Sequence, residues 1–136
     1  MRFRDPSTVV PLLVGEAASE MVEEILRRDP AMLVWWATEV ECTSGLELGG
    51  TGDRRCRARP HPLGPAQWHE IQAVLGVRRT ARRLLRTYPL RAADALQLAA
   101  ALITSEGKPA SLEVVALDDR LIEAARREGL VVTADG

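Results

Sequence analysis

Short apolar runs alternate with segments of helical period along this chain, and that alternation narrows the possible folds more than any other feature. Arg2-Phe3-Arg4, Ala31 to Trp36 (AMLVWW), Glu113 to Leu117 (EVVAL) and Leu130-Val131-Val132 each read as a short strand. Between the first two, Glu16 to Arg28 places Ala18, Met21, Val22, Ile25 and Leu26 on one stripe. Its acids come early and its arginines late, as the helix dipole prefers, and Asp29-Pro30 stops it. A helix from Val77 has Val77, Ala81, Leu84, Leu85 and Tyr88 on one stripe and Arg78, Arg82 and Arg86 on another face, until Pro89. Arg91 to Ile103 is apolar on most sides, which predicts a central helix, with Gly107 and Pro109 beyond its end. Asp119 is expected to cap a last helix through Glu128, closed by Gly129. Strands and helices in this order predict a three-layer α/β/α sandwich with a mainly parallel central sheet. The whole chain, residues 1–136, is expected to form a single domain, long enough to bury a core without disulfides or a structural metal.

One segment breaks the pattern. Gly49-Gly50-Thr51-Gly52 leads into Pro60, Pro62, Gly64 and Pro65, a composition no long helix survives, so residues 49–65 read as an irregular Gly/Pro/Arg-rich loop. Before it, Thr38 is placed to cap a helix over Glu39 to about Leu48; after it, Trp68 to Val74 is ambiguous. Trp35 and Trp36 alternate across their strand, so at least one is expected in the core. Cys42 and Cys56 are too few for a disulfide framework, MRFRDPST is not a secretory signal, and no apolar stretch is long enough to span a bilayer. A cytoplasmic protein with no membrane partner is the expectation.

The net charge of −1 conceals a strong asymmetry. Residues 54–91 carry ten arginines and one acid, Glu70, while the remainder holds eight basic and eighteen acidic residues. A block so unbalanced attracts polyanions even where the total is near zero, although a solvated helix face gives the same pattern.

An open parallel sheet gathers its ligands outside the carboxyl ends of its strands, where Asp5 and Asp118 fall; Asp94 and Glu41, on helices, are two further candidates. Asp5 follows the first strand, Asp118 follows EVVAL, Asp94 opens the apolar helix RAADALQLAAAL, and Glu41 lies on the helix after AMLVWW. Singly, each has an ordinary explanation: a turn residue before Pro6, a helix cap, a partner for the helix dipole, a surface acid. Together they repel one another, and a hard divalent cation with oxygen ligands is the usual physical remedy. Beside an arginine-rich segment, such a cluster suits a phosphodiester substrate, whose cleavage the metal assists by polarising phosphate and acidifying water.

The stretch from Leu84 to Val132 (LLRTYPLRAADALQLAAAL, then VVALDDRLIEAARREGLVV) resembles the C-terminal half of PIN-domain proteins of the VapC toxin type. The family's A-D-A-L motif matches at Asp94, and its D-x-R-L motif at Asp118-Asp119-Arg120-Leu121. Its opening D-[ST]-S is met by Asp5-Pro6-Ser7, with Pro in the middle, and its helical Glu by Glu41-Cys42-Thr43-Ser44-Gly45-Leu46. The resemblance covers nearly the whole chain except residues 49–67. It implies a PIN-like fold and a ribonuclease dependent on Mg²⁺ or Mn²⁺, the toxin of a toxin–antitoxin pair, with RNA as substrate, a cognate antitoxin as partner and a homodimer as assembly. Asp5, Glu41, Asp94 and Asp118 would then bind metal and carry catalysis, with Ser7 and Asp119 in support. Arg78, Arg82, Arg86 and Arg91 would hold the RNA backbone. Family members continue the Glu-bearing helix and add another before the Trp-containing segment. GGTGDRRCRARPHPLGPAQW departs from that and reads either as a substrate or partner loop or as the trace of an altered reading frame.

Other classes fare less well. A PIN-like RNA- or protein-binding module with a degenerate, non-catalytic site is the alternative. A phosphoacceptor receiver domain wants a paired acid at the first strand and a Lys near the last, whereas only Asp5 and the distant Lys108 are present. Cys56, His61 and His69 match no zinc spacing, the Gly49–Gly52 run lacks the Lys-Ser/Thr of a phosphate loop, and no Ser-His-Asp set can be placed.

Overall fold

The computed structural model describes residues 1–9, 19–38, 40–41, 67–72 and 74–133. Five strands form one sheet: β1 (Arg2–Arg4), β2 (Ala31–Trp35), β3 (Gln67–Ile71), β4 (Glu113–Val115) and β5 (Val131–Thr133). Their order is β3-β2-β1-β4-β5 and every neighbouring pair is parallel. Phe3 stands opposite Leu33 on one side and Val114 on the other, which fixes the central register. The helices are α1 (Ser19–Arg28), α2 (Leu75–Thr87), α3 (Ala92–Thr104) and α4 (Asp119–Arg127), with a short 3₁₀ turn at Pro109–Ser111.

The chain steps from β1 outward to β2 and β3, then returns to the other side of β1 for β4 and β5. Right-handed crossovers therefore put α1 on one face and α2, α3 and α4 on the other. The side chains follow this division. Phe3, Trp35 and Val114 face the larger core, built with Val77, Ala81 and Leu84 of α2, Leu98 and a run of alanines of α3, and Leu121 and Ala125 of α4. Met32 and Val34 point the opposite way and pack with Leu26 of α1. Small residues at Ala95, Ala99, Ala100 and Ala101 let α3 lie deep, and all four are fully buried. Gly129, at φ +88°, closes α4: its amide donates to Arg126 O and that of Leu130 to Ala125 O, a pairing that needs the left-handed residue between.

The α/β sandwich expected from the sequence is the fold observed, with a sheet that is parallel throughout. Differences are local. The ambiguous stretch at Trp68 to Val74 holds β3, an edge strand that pairs along its full length with β2. Leu85, placed on the buried stripe of its helix, is exposed, while Val77, Ala81 and Leu84 are buried. Of the two tryptophans, Trp35 enters the core at 4% exposure and Trp36 is left outside at 52%. The start of the first helix at Glu16, most of the helix over Glu39 to Leu48, and the loop at 49–65 lie outside the described residues; residues 38, 40 and 41 are helical. Among the described residues no helix is long and apolar enough to cross a membrane.

Candidate active site

Asp5 sits where β1 ends, at the point where the chain's path through the sheet reverses between β1 and β4. Its own amide donates to Val115 O at 3.1 Å, tying the ends of the two strands together. Residues 6–9 are helical, so Asp5-Pro6 is a cap followed by a first-turn proline, a position where the missing N–H is no loss. The Ser7 amide donates to Asp5 Oδ2 at 3.0 Å, and the Thr8 amide and hydroxyl both donate to Asp5 O. Ser7 Oγ in turn accepts from the Leu117 amide at 3.0 Å, a second tie between the loops after β1 and β4.

The other acids are held by their own elements. Asp118 Oδ1 accepts from Leu121 N at 2.9 Å and is the cap of α4, so the capping role expected of Asp119 belongs to Asp118. Asp119 is the first helical residue and is exposed, beyond reach of that amide because it already lies inside the turn. Asp94 Oδ2 accepts from Arg91 N at 3.2 Å in the first turn of α3. Glu41, half-buried on the helix after β2, has its Oε1 held by Gln97 Nε2 at 3.0 Å.

The acids share an electrostatic environment. Burial pushes the Asp5 carboxyl up to about 6, against Ser7, which stabilises the charged form; Asp94 and Asp118 add to the rise. Glu41 is raised by burial and then by Asp5 and Asp94, and Asp94 by burial and then by Asp118. Among the described residues no three His, Cys, Asp or Glu side chains stand close enough together to hold a metal ion as they are. Asp94 and Asp118 serve backbone amides, and Glu41 an amide side chain, rather than a common point. In chemical type, the four carboxylates are oxygen donors of the kind a hard divalent cation takes, and Asp5 is almost fully buried.

With this geometry in place, two solved structures are informative. The chain aligns with a chain of a toxin-antitoxin complex from Klebsiella pneumoniae at a TM-score of 0.68 and 17% identity, covering 98% of this chain and 97% of that one. It aligns with a chain of FitAB bound to an IR36 DNA fragment at 0.62 and 18% identity, covering 98% and 94%. The likeness is one of fold. No protein-family model and no curated protein matches the chain.

The arginines divide into two groups. Arg78, Arg82 and Arg86 line one hollow of about 350 Å³ on α2, together with Leu75 and Arg79. Arg91 is set apart, exposed at the cap of α3 beside Asp94. Arg83 is taken up elsewhere: it pairs through both its Nη atoms with Glu128, whose Oε1 also accepts from Tyr88 OH at 2.8 Å. Two site residues escaped the sequence reading. Arg79 follows Arg78 and joins the hollow, although helical spacing by fours passes over it. Gln97 stands three residues after Asp94 in an alanine- and leucine-rich helix, and a lone buried amide there was the available signal. Of the zinc candidates, His69 is exposed on β3, while Cys56 and His61 lie outside the described residues.

Proposed function

We propose that the chain is a divalent-metal-dependent endoribonuclease, the toxin of a cytoplasmic toxin–antitoxin pair. What supports the reading is that Asp5, Glu41, Asp94 and Asp118, from four separate elements, lie within one another's electrostatic influence. Burial and mutual repulsion push the first three toward protonation. On this reading all four bind Mg²⁺ or Mn²⁺, and such a cation supplies charge neutralisation and the acidification of an attacking water. The chain's own residues do the rest. Ser7 and the β1–β4 ties fix Asp5, Gln97 orients Glu41, and Asp118 and Asp94 are held by the first turns of α4 and α3. Arg78, Arg82 and Arg86, with Arg79, hold the RNA backbone by its phosphates, which positions the strand without reading bases. Arg91 supplies positive charge beside Asp94. Asp119, exposed at the start of α4, supports the site only through the negative charge it adds.

An antitoxin partner is supported by the fold shared with a chain of a toxin-antitoxin complex. A homodimer is the assembly that the sequence resemblance adds. The test is cleavage of a structured RNA by purified protein with Mg²⁺ or Mn²⁺, alongside EDTA and Asp94→Asn. Cutting that vanishes in both controls is expected. No cutting by folded protein, across both metals and several RNAs, would assign the chain to the non-catalytic binding modules instead.

A further inference from the structure

We propose that Gln97 is the positioning residue of the acid cluster, holding Glu41 for the cation through a buried amide. The inference rests on the metal-binding reading above and deepens it. Gln97 is 1% exposed, on the face of α3 one turn beyond Asp94. Its Nε2 donates to Glu41 Oε1 at 3.0 Å and to Thr38 Oγ1 at the longer distance of 3.4 Å. A carboxylate only accepts, so the amide nitrogen must face Glu41 and the amide oxygen is turned elsewhere. That oxygen is buried and has no partner among the described residues.

A buried acceptor left unpaired weakens the fold. A half-satisfied amide kept inside an otherwise alanine- and leucine-lined helix therefore contributes little to stability, and its visible work is to aim Glu41. Partners of this kind, one bond removed from a metal, commonly set its affinity.

Two quantities separate this role from a merely structural one: the melting temperature of metal-free protein and the affinity for Mn²⁺ by calorimetry. Gln97→Met, of similar volume and without the amide, should melt no lower than wild type and bind Mn²⁺ about 10- to 100-fold more weakly. Gln97→Leu carries the same readout should the methionine variant not fold. Gln97→His, which retains an N–H donor, should recover part of the affinity. In a Glu41→Ala background the Gln97 substitution should weaken Mn²⁺ binding no further, because the two act as one unit. Unchanged affinity in Gln97→Met, or an effect that persists without Glu41, overturns the proposal while leaving the metal site standing. Wild-type protein that binds no Mn²⁺ overturns the metal site itself, and this role with it.

Discussion

Arg4 and Asp5 are adjacent, both buried and opposite in charge, yet the α1-facing side of the sheet and the rim at its carboxyl end receive them differently. On the rim, Asp5 accepts from the Ser7 amide and lies in the field of Asp94 and Asp118. On the α1 side, Arg4 is fully buried, and among the described residues none of its Nε, Nη1 and Nη2 atoms has a hydrogen-bond partner. Arg2 shows what that face can offer. Two residues earlier on the same strand and face, it pairs with Glu113 at 2.6 Å and reaches Asp29 at 3.5 Å. One row further, Arg4's register partner on β4 is Val115, which has no charge to give. Burial, with Arg2 adding repulsion, holds the Arg4 guanidinium down to about 10, although Asp29 and Glu113 oppose the fall. Among the described residues one buried charge is therefore arranged for and the other is not. On the proposed function, destabilisation at Asp5 serves cation binding, and Arg4 has no part in it.

Removing each charge in turn sharpens the contrast. The largest effect is expected on the rim. Asp5→Asn, Asp94→Asn or Asp118→Asn should lower metal-dependent RNA cleavage by about 100- to 1,000-fold or more, read from initial rates. Arg4→Met should leave those rates alone and raise unfolding free energy by about 3 kcal/mol, measured by urea denaturation. Arg4 in the folded chain gives up its proton near pH 10, well below the ordinary guanidinium range, so the penalty is complete below about pH 10 and lifts only as pH climbs from there. An Arg4→Met variant no more stable than wild type would mean that this guanidinium is paired in solution.

Asp5 has the opposite pH signature. The folded chain retains its proton up to about pH 6 and the unfolded chain only to about 3.8. Stability from protonated Asp5 is therefore fully present below about pH 3.8 and lost as pH rises through about 6. Metal-free Asp5→Asn should escape that loss and exceed wild type at pH 7.5 by up to about 3 kcal/mol, while cutting no RNA. The smallest effect lies far from both charges. Tyr88→Phe, which removes one hydrogen bond to Glu128, should cost about 1 kcal/mol with cleavage unchanged. A loss of cleavage there would tie the α2–α4 staple to the rim.

The sequence was most legible where local periodicity and burial agree. The stripe Val77, Ala81, Leu84 and the alanine run of α3 follow from spacing alone, and β1 emerges as the three residues Arg2–Arg4 that were read as a strand. β3 was ambiguous because QWHEI is an edge strand with exposed His69 and Glu70, so its pattern lacks the apolar continuity of a central parallel strand. Asp5 and Asp118 could be placed at strand ends from sequence, and Asp94 and Glu41 on the helices that carry them. Their hydrogen-bond duties could not, because a cap position depends on where a helix begins to within one residue, and Asp118 and Asp119 are adjacent. That Arg4 has no hydrogen-bond partner among the described residues was equally hidden, since alternation assigns a face to a side chain but not the residues across from it.

The central claim is that the rim acids hold one divalent cation, and thermal melting with and without Mn²⁺ tests it most directly. Wild-type protein should melt higher with increasing Mn²⁺, while Asp5→Asn, though more stable without metal, should show no such rise. An unchanged melting temperature for folded wild-type protein at millimolar Mn²⁺, or an equal rise in Asp5→Asn, would contradict the account.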